Sequence, residues 1–114
     1  MYLKKERKNQ MKDKILLACS AGMSTSLIVQ KMKKIAAEQN KNYVIWATAV
    51  DDIVDDEKSF DCCLIGPQVS GRVKDVEEAV AEYGDNIPVA IIDKDDYGKM
   101  RADKILALAE RLLK

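Results

Sequence analysis

The stretch Lys14-Ile-Leu-Leu-Ala-Cys19-Ser-Ala-Gly-Met-Ser-Thr-Ser26 decides how the rest of the chain is read. Residues 15–19 form an unbroken apolar run of the length of a buried strand. The residues that follow are small and hydroxyl-bearing. From Ser24 onward the apolar positions change to helical spacing: Ile28, Met32, Ile35 and Ala36 fall on one side, with Lys31, Lys33, Lys34 and Glu38 on the other. The pattern predicts a strand, a tight loop and a helix, capped by Ser24 or Thr25 and ending near Asn40.

The same alternation continues downstream. Tyr43-Val-Ile-Trp-Ala-Thr-Ala-Val50 is rich in β-branched and aromatic residues and reads as a second strand, with Trp46 a packing residue rather than a flavin platform. Residues 51–57 allow one or two helical turns. Asp61-Cys-Cys-Leu-Ile65 is a third strand closed by Gly66-Pro67. Val69, Val73, Val76, Val80 and Tyr83 form a helical stripe that Gly84 stops. Ile87-Pro-Val-Ala-Ile-Ile92 is a fourth strand, placed at an edge because Pro88 cannot donate to a ladder. A last helix turns Ile105, Leu108, Ala109 and Leu112 inward.

Apolar strands separated by helical crossovers imply an α/β fold: a single three-layer domain, its four-stranded parallel open sheet covered by helices on both faces. With right-handed crossovers the expected strand order is 2-1-3-4. The chain then reverses direction after the first strand, and the crevice at that strand's carboxyl end is the default ligand site.

Composition narrows the chemistry. With 114 residues there is room for one domain. The 19 basic and 19 acidic residues cancel, so no overall charge draws the chain to nucleic acid or an anionic membrane. No apolar run approaches the length of a membrane span or resembles a secretory leader, which places the expected location in the cytoplasm. Residues 1–13 read as a flexible basic tail (Lys4, Lys5, Arg7, Lys8 and Lys12 against Glu6 and Asp13), either merely solvated or a weak contact for a membrane partner, and 14–114 as the folded domain. There is no histidine, so no Ser-His or Cys-His nucleophile pair and no His-bearing zinc site can form within the chain. The cysteines, Cys19, Cys62 and Cys63, lack the spacing of a zinc ribbon or a disulfide framework. Cys62 and Cys63 lie within a strand and read as small core hydrophobes.

Cys19 opens the switch-point loop of Ser20, Ala21, Gly22, Met23, Ser24, Thr25 and Ser26. Backbone N–H groups of such a loop and of the helix start form a nest for an anion, and Gly22 permits the tight turn. The hydroxyls of Ser20, Ser24, Thr25 and Ser26 can add bonds to phosphate oxygens. The same positive field activates a cysteine sulfur as a nucleophile. From the residues alone, Cys19 is either that nucleophile or a small residue closing a buried strand.

A cysteine phosphatase uses Cys-x5-Arg, the arginine forking onto the phosphate. Here the sixth position after Cys19 is Thr25; Arg72, Arg101 and Arg111 lie in later helices and Arg7 in the tail. No loop aspartate is placed as a general acid. This suits a group that accepts and holds a phosphoryl group better than one that hydrolyses it; a small phosphatase or redox relative, and a non-enzymatic anion- or nucleotide-binding module, are the alternatives. Gln68, after Gly66-Pro67, turns toward the anion, toward a partner, or simply toward solvent at a helix start. Tyr97-Gly98 could rim the crevice, although a core or capping role suits the tyrosine better.

The Cys19 loop, the segment Cys63-Leu-Ile-Gly-Pro-Gln-Val69 and Asp96-Tyr-Gly98 together resemble the enzyme IIB component of the bacterial phosphoenolpyruvate-dependent sugar phosphotransferase system, lactose/cellobiose (chitobiose) class. The resemblance spans about residues 13–113 and leaves out the basic tail. It implies a phosphohistidine–sugar phosphotransferase in which Cys19 takes the phosphoryl group from phosphohistidine of a IIA protein, residues 20–26 cradle it, and a sugar receives it during uptake by a IIC membrane transporter. A β-linked disaccharide such as cellobiose, chitobiose or lactose is the implied acceptor. No metal or other cofactor is implied at the cysteine.

Overall fold

The computed structural model describes residues 13–20, 23–55, 59–84 and 86–114. The expectation of a flexible tail falls, apart from Asp13, outside them. Strands are β1 (Asp13–Cys19), β2 (Tyr43–Ala49), β3 (Cys62–Ile65) and β4 (Val89–Ile91). They form one parallel sheet in the order β2-β1-β3-β4, the order expected from the crossover pattern. Helices are α1 (Met23–Glu38), α2 (Val73–Ala81), α3 (Lys94–Gly98) and α4 (Ala102–Leu113), with 3-10 segments at Val50–Asp55 and Pro67–Arg72.

Strand alternation sorts the core into two layers. Ile15 and Leu17 of β1, with Cys62 and Leu64 of β3, pack under α1 (Ile28, Met32, Ala36) and α4 (Ile105, Leu106, Ala109). Leu16 and Ala18, with Cys63 and Ile65, face Val76, Ala79 and Val80 of α2 and the aromatic Phe60. Residues 15–18 of β1 and all of β3 are at most 1% exposed, which is why both read as continuous apolar runs: each face of a central parallel strand is covered by helices. Trp46 is a packing residue, meeting Phe60 edge-on at 6.4 Å between ring centroids.

The ends of the elements differ from expectation in instructive ways. Helix α1 starts at Met23, so Ser24 and Thr25 lie inside its first turn rather than capping it. Its other end is close to the expected one: Asn40 takes φ 58°, a left-handed conformation that asparagine tolerates, and Lys41 N–H closes onto Ala36 O at 2.8 Å. The stripe beginning at Val69 is not one helix. Pro67 starts a 3-10 segment, Val69 leaves helical geometry at φ −115° and ψ 24°, and α2 begins only at Val73. Ser70 and Gly71 are poor helix formers, and a 3-10 turn still delivers Val69 to the core. Strand β4 is shorter than expected, but pairing extends past both its ends, with Cys63 N–H donating to Pro88 O at 3.0 Å and Ile92 N–H to Ile65 O at 2.8 Å. It is an edge strand, as Pro88 required. The final helical region is split by Met100 at φ 52°, which separates α3 from α4. Leu106 is a core residue of α4 that the expected stripe omits, whereas Leu108 and Leu112 are only partly buried.

Candidate functional site

The carboxyl ends of β1 and β3 adjoin at the point where the chain reverses direction, and the residues singled out in the sequence gather there. Cys19 ends β1. It is 5% exposed, its neighbour Ser20 is exposed, and its Sγ donates to the carbonyl oxygen of Thr48 on β2 at 3.4 Å. Ala21 and Gly22 lie outside the described residues. Met23 and Ser24 supply the backbone of the first turn of α1, whose N-terminal N–H groups have no partner within the helix and favour an anion. Ser26 is exposed.

Thr25 behaves differently from the other hydroxyl residues of the loop. Its side chain is 2% exposed, and its Oγ1 lies 2.6 Å from the hydroxyl of Tyr97, itself 7% exposed. Tyr97 therefore has a core role, and it also ties the short helix after β4 to the first turn of α1. A tyrosine in a five-residue helix produces no periodic signal; in the sequence Tyr97 stood out only through Tyr97-Gly98 as a possible rim of the crevice and through the resemblance that includes Asp96-Tyr-Gly98. Asp93 holds that helix in place by accepting from the N–H groups of Asp95 and Asp96 at 3.0 and 3.1 Å.

The second loop meets the first through Gly66. Its N–H donates to Ala18 O at 2.8 Å, one residue before Cys19. A Cβ on Gly66 would lie 3.0 Å from Gln68 Oε1, 3.5 Å from Ala18 O and 3.8 Å from Tyr97 Cε2. The glycine thus lets the exposed Gln68 fold back over it, while the Tyr97 ring closes in from another side. The structure brings Cys19, the start of α1, Gly66, Gln68, Thr25 and Tyr97 into one region through these contacts.

Arg72 and Arg101 are each paired with carboxylates. Arg72 donates to Asp51 at 2.7 Å and to Asp75 at 3.0 Å, and it holds the Asp51 carboxyl below the usual carboxylate range. Arg101 donates to Asp96 at 3.2 Å. Cys62 and Cys63 are fully buried, and burial, reinforced for Cys62 by Asp61 and Asp13 and for Cys63 by Cys62, pushes both thiols up to about 12. They stay protonated and inert. Among the described residues no helix is long and apolar enough to cross a membrane.

This site belongs to a recognisable group of proteins. Residues 14–108 match the family described as PTS system, Lactose/Cellobiose specific IIB subunit. The chain is 44% identical to the PTS system galactose-specific EIIB component of Lactococcus lactis subsp. cremoris, over 90% of this chain and 99% of that protein. It is 43% identical, with the same coverage, to the PTS system cellobiose-specific EIIB component of Lactococcus lactis subsp. lactis. Among solved structures it resembles the cellobiose-specific phosphotransferase IIB component protein from Borrelia burgdorferi, with a TM-score of 0.67 and 40% identity over 90% of this chain and 92% of that one. The chain belongs to the lactose/cellobiose-specific IIB family of the sugar phosphotransferase system.

Proposed function

We propose that this chain is a phosphocysteine carrier between a phosphorylated IIA protein and a sugar held by a IIC membrane transporter. The observation that carries the proposal is the position of Cys19: a thiol at the end of the strand after which the sheet reverses, followed within the same loop by the N-terminus of a 16-residue helix. The ionised sulfur attacks the phosphorus of phosphohistidine, the S–P bond forms and the P–N bond breaks. In the second step a sugar hydroxyl attacks the same phosphorus, the O–P bond forms, the hydroxyl proton leaves to solvent and the thiolate returns. Both are in-line displacements, served by positioning and charge stabilisation. These 114 residues contain no histidine, so the donating histidine belongs to a IIA protein or domain outside them.

Residues 20–26 form the phosphate cradle in this reading, with Gln68 folding over the neighbouring glycine. The absence of an arginine at the sixth position after Cys19 favours holding the phosphoryl group over hydrolysing it. For the acceptor we propose a β-linked disaccharide such as cellobiose, chitobiose or lactose. Identity alone does not rank the sugars, because the galactose- and cellobiose-specific relatives stand at 44% and 43%. Incubation with phosphorylated IIA followed by mass spectrometry tests the carrier role: one phosphate is expected on Cys19 and none on Cys19→Ser. Equal labelling of the serine variant would defeat the proposal, and steady Cys19-dependent release of inorganic phosphate without IIC would replace it with a phosphatase. Uptake competition in membranes bearing the cognate IIC reads the sugar.

A further inference from the structure

We infer that Tyr97 is a positioning residue for phosphoryl transfer: its hydroxyl orients that of Thr25 so that Thr25 donates to the phosphoryl group on Cys19. The inference rests on the phosphocysteine reading above and adds to it a residue far from the loop in sequence.

The argument is one of counting protons. Thr25 and Tyr97 are both buried, and their oxygens lie 2.6 Å apart. Each hydroxyl carries one proton, and one hydrogen bond uses only one of the two. Either atom can be the donor. When Tyr97 donates, the Thr25 proton is free to donate outward. A phosphoryl group arriving with negative charge selects that direction, because a charged acceptor strengthens the bond made to it.

Position in the chain supports the assignment. Thr25 is six residues after Cys19, where a cysteine phosphatase places its arginine, and it lies in the first turn of α1, where anions are favoured. A neutral hydroxyl supplies one donor there without an arginine's charge or fork. Tyr97 is a buried residue that packs beside Gly66. Its N–H donates to Asp93 O at 2.9 Å, its ring sits 3.8 Å from the Cβ position of Gly66, and Gly66 is bonded to the residue before Cys19. The phenol therefore bridges the two loops of the site. No bond to phosphorus involves either hydroxyl, and the proton is shared rather than transferred.

The test uses the full chain with phosphorylated IIA as donor, and reads kcat and KM for transfer together with the phosphorus NMR resonance of the phosphocysteine. Tyr97→Phe keeps the ring and removes the hydroxyl; Thr25→Val keeps the shape and removes the donor; Thr25→Ser keeps the donor. Tyr97→Phe and Thr25→Val are each expected to lower kcat about tenfold at unchanged KM, the scale of one hydrogen bond to a charged group. Both should move the phosphorus resonance in the same direction, Thr25→Ser should restore it, and the double variant should be no slower than Thr25→Val. Wild-type kcat and resonance in Tyr97→Phe and Thr25→Val, with the wild type itself labelled on Cys19, would overturn this inference and leave the carrier reading standing. A wild type that takes no label would remove both. Should Tyr97→Phe fail to fold, the Thr25→Val and Thr25→Ser pair decides alone.

Discussion

The Cys19 thiol donates to the carbonyl oxygen of Thr48 at 3.4 Å, across the seam between β1 and β2. A carbonyl accepts only from a protonated sulfur, so this is a contact that the thiol makes and a thiolate cannot. Attack on phosphorus needs the ionised sulfur, which has no proton to give Thr48, and the phosphorylated sulfur cannot restore the bond. If Cys19 carries the phosphoryl group as proposed above, this contact should be absent from the phosphorylated protein.

The three cysteines should separate in alkylation. At pH 8 iodoacetamide is expected to modify Cys19 at least about tenfold faster than Cys62 or Cys63, because Cys19, although buried, keeps 5% of its surface exposed at the end of β1, next to the exposed Ser20, and the reagent reaches it with the smallest opening of the loop. Cys62 and Cys63 are 0% exposed and pushed up to about 12 by burial. Peptide mapping in buffer and again in guanidinium checks this: all three should react once the chain is unfolded.

Replacement of Gly66 tests how Gln68 is placed. In Gly66→Ala the new methyl would lie 3.0 Å from Gln68 Oε1, the far end of a flexible side chain, while the other neighbours stay at ordinary contact. The fold should lose no more than about 0.5 kcal/mol in urea melts. Transfer from IIA should fall to the level of Gln68→Ala, and the double variant should be no slower than either.

Alkaline pH should weaken the fold through the buried thiols. In the native state Cys62 and Cys63 hold their protons up to about 12, whereas the unfolded chain releases them near the ordinary value of 9.0. Between those values the unfolded state binds fewer protons, so stability is intact below about pH 9 and falls as pH rises toward 12. The slope is about 1.4 kcal/mol per pH unit for each thiol. Urea melts at pH 8, 10 and 11 should show this slope between the last two, with little loss before pH 9, and Cys62→Ala and Cys63→Ala should each flatten it.

Two leucines of α4 should differ in what truncation costs. Leu106 is 1% exposed and Leu108 only partly buried. Leu106→Ala is expected to cost about 2–5 kcal/mol, in the range of fully buried leucines, and Leu108→Ala about half as much. Equilibrium unfolding of both variants at pH 7 compares them.

The helix in which these leucines sit shows where sequence reading stops. Spacing found the helix and its buried side at Ile105 and Ala109, but chose Leu108 over Leu106. A stripe drawn at helical spacing has a centre and not an edge: which flank is covered depends on how the helix is rotated against β3 and α1. Helix α3 was invisible for another reason, since five residues hold too little periodicity to be distinguished from a loop.

Strand order, the parallel sheet, the end of β1 at Cys19 and the burial of Cys62 and Cys63 were all readable from the order of residues. They follow from short-range rules: apolar runs, helical spacing, small residues at a turn and the handedness of crossovers. The pairing of Thr25 with Tyr97 spans 72 positions, and the fold of Gln68 over Gly66 depends on a close approach beside β1. Such contacts have no local signature, because they arise only when packing brings distant segments together and leaves each buried hydroxyl to find its partner.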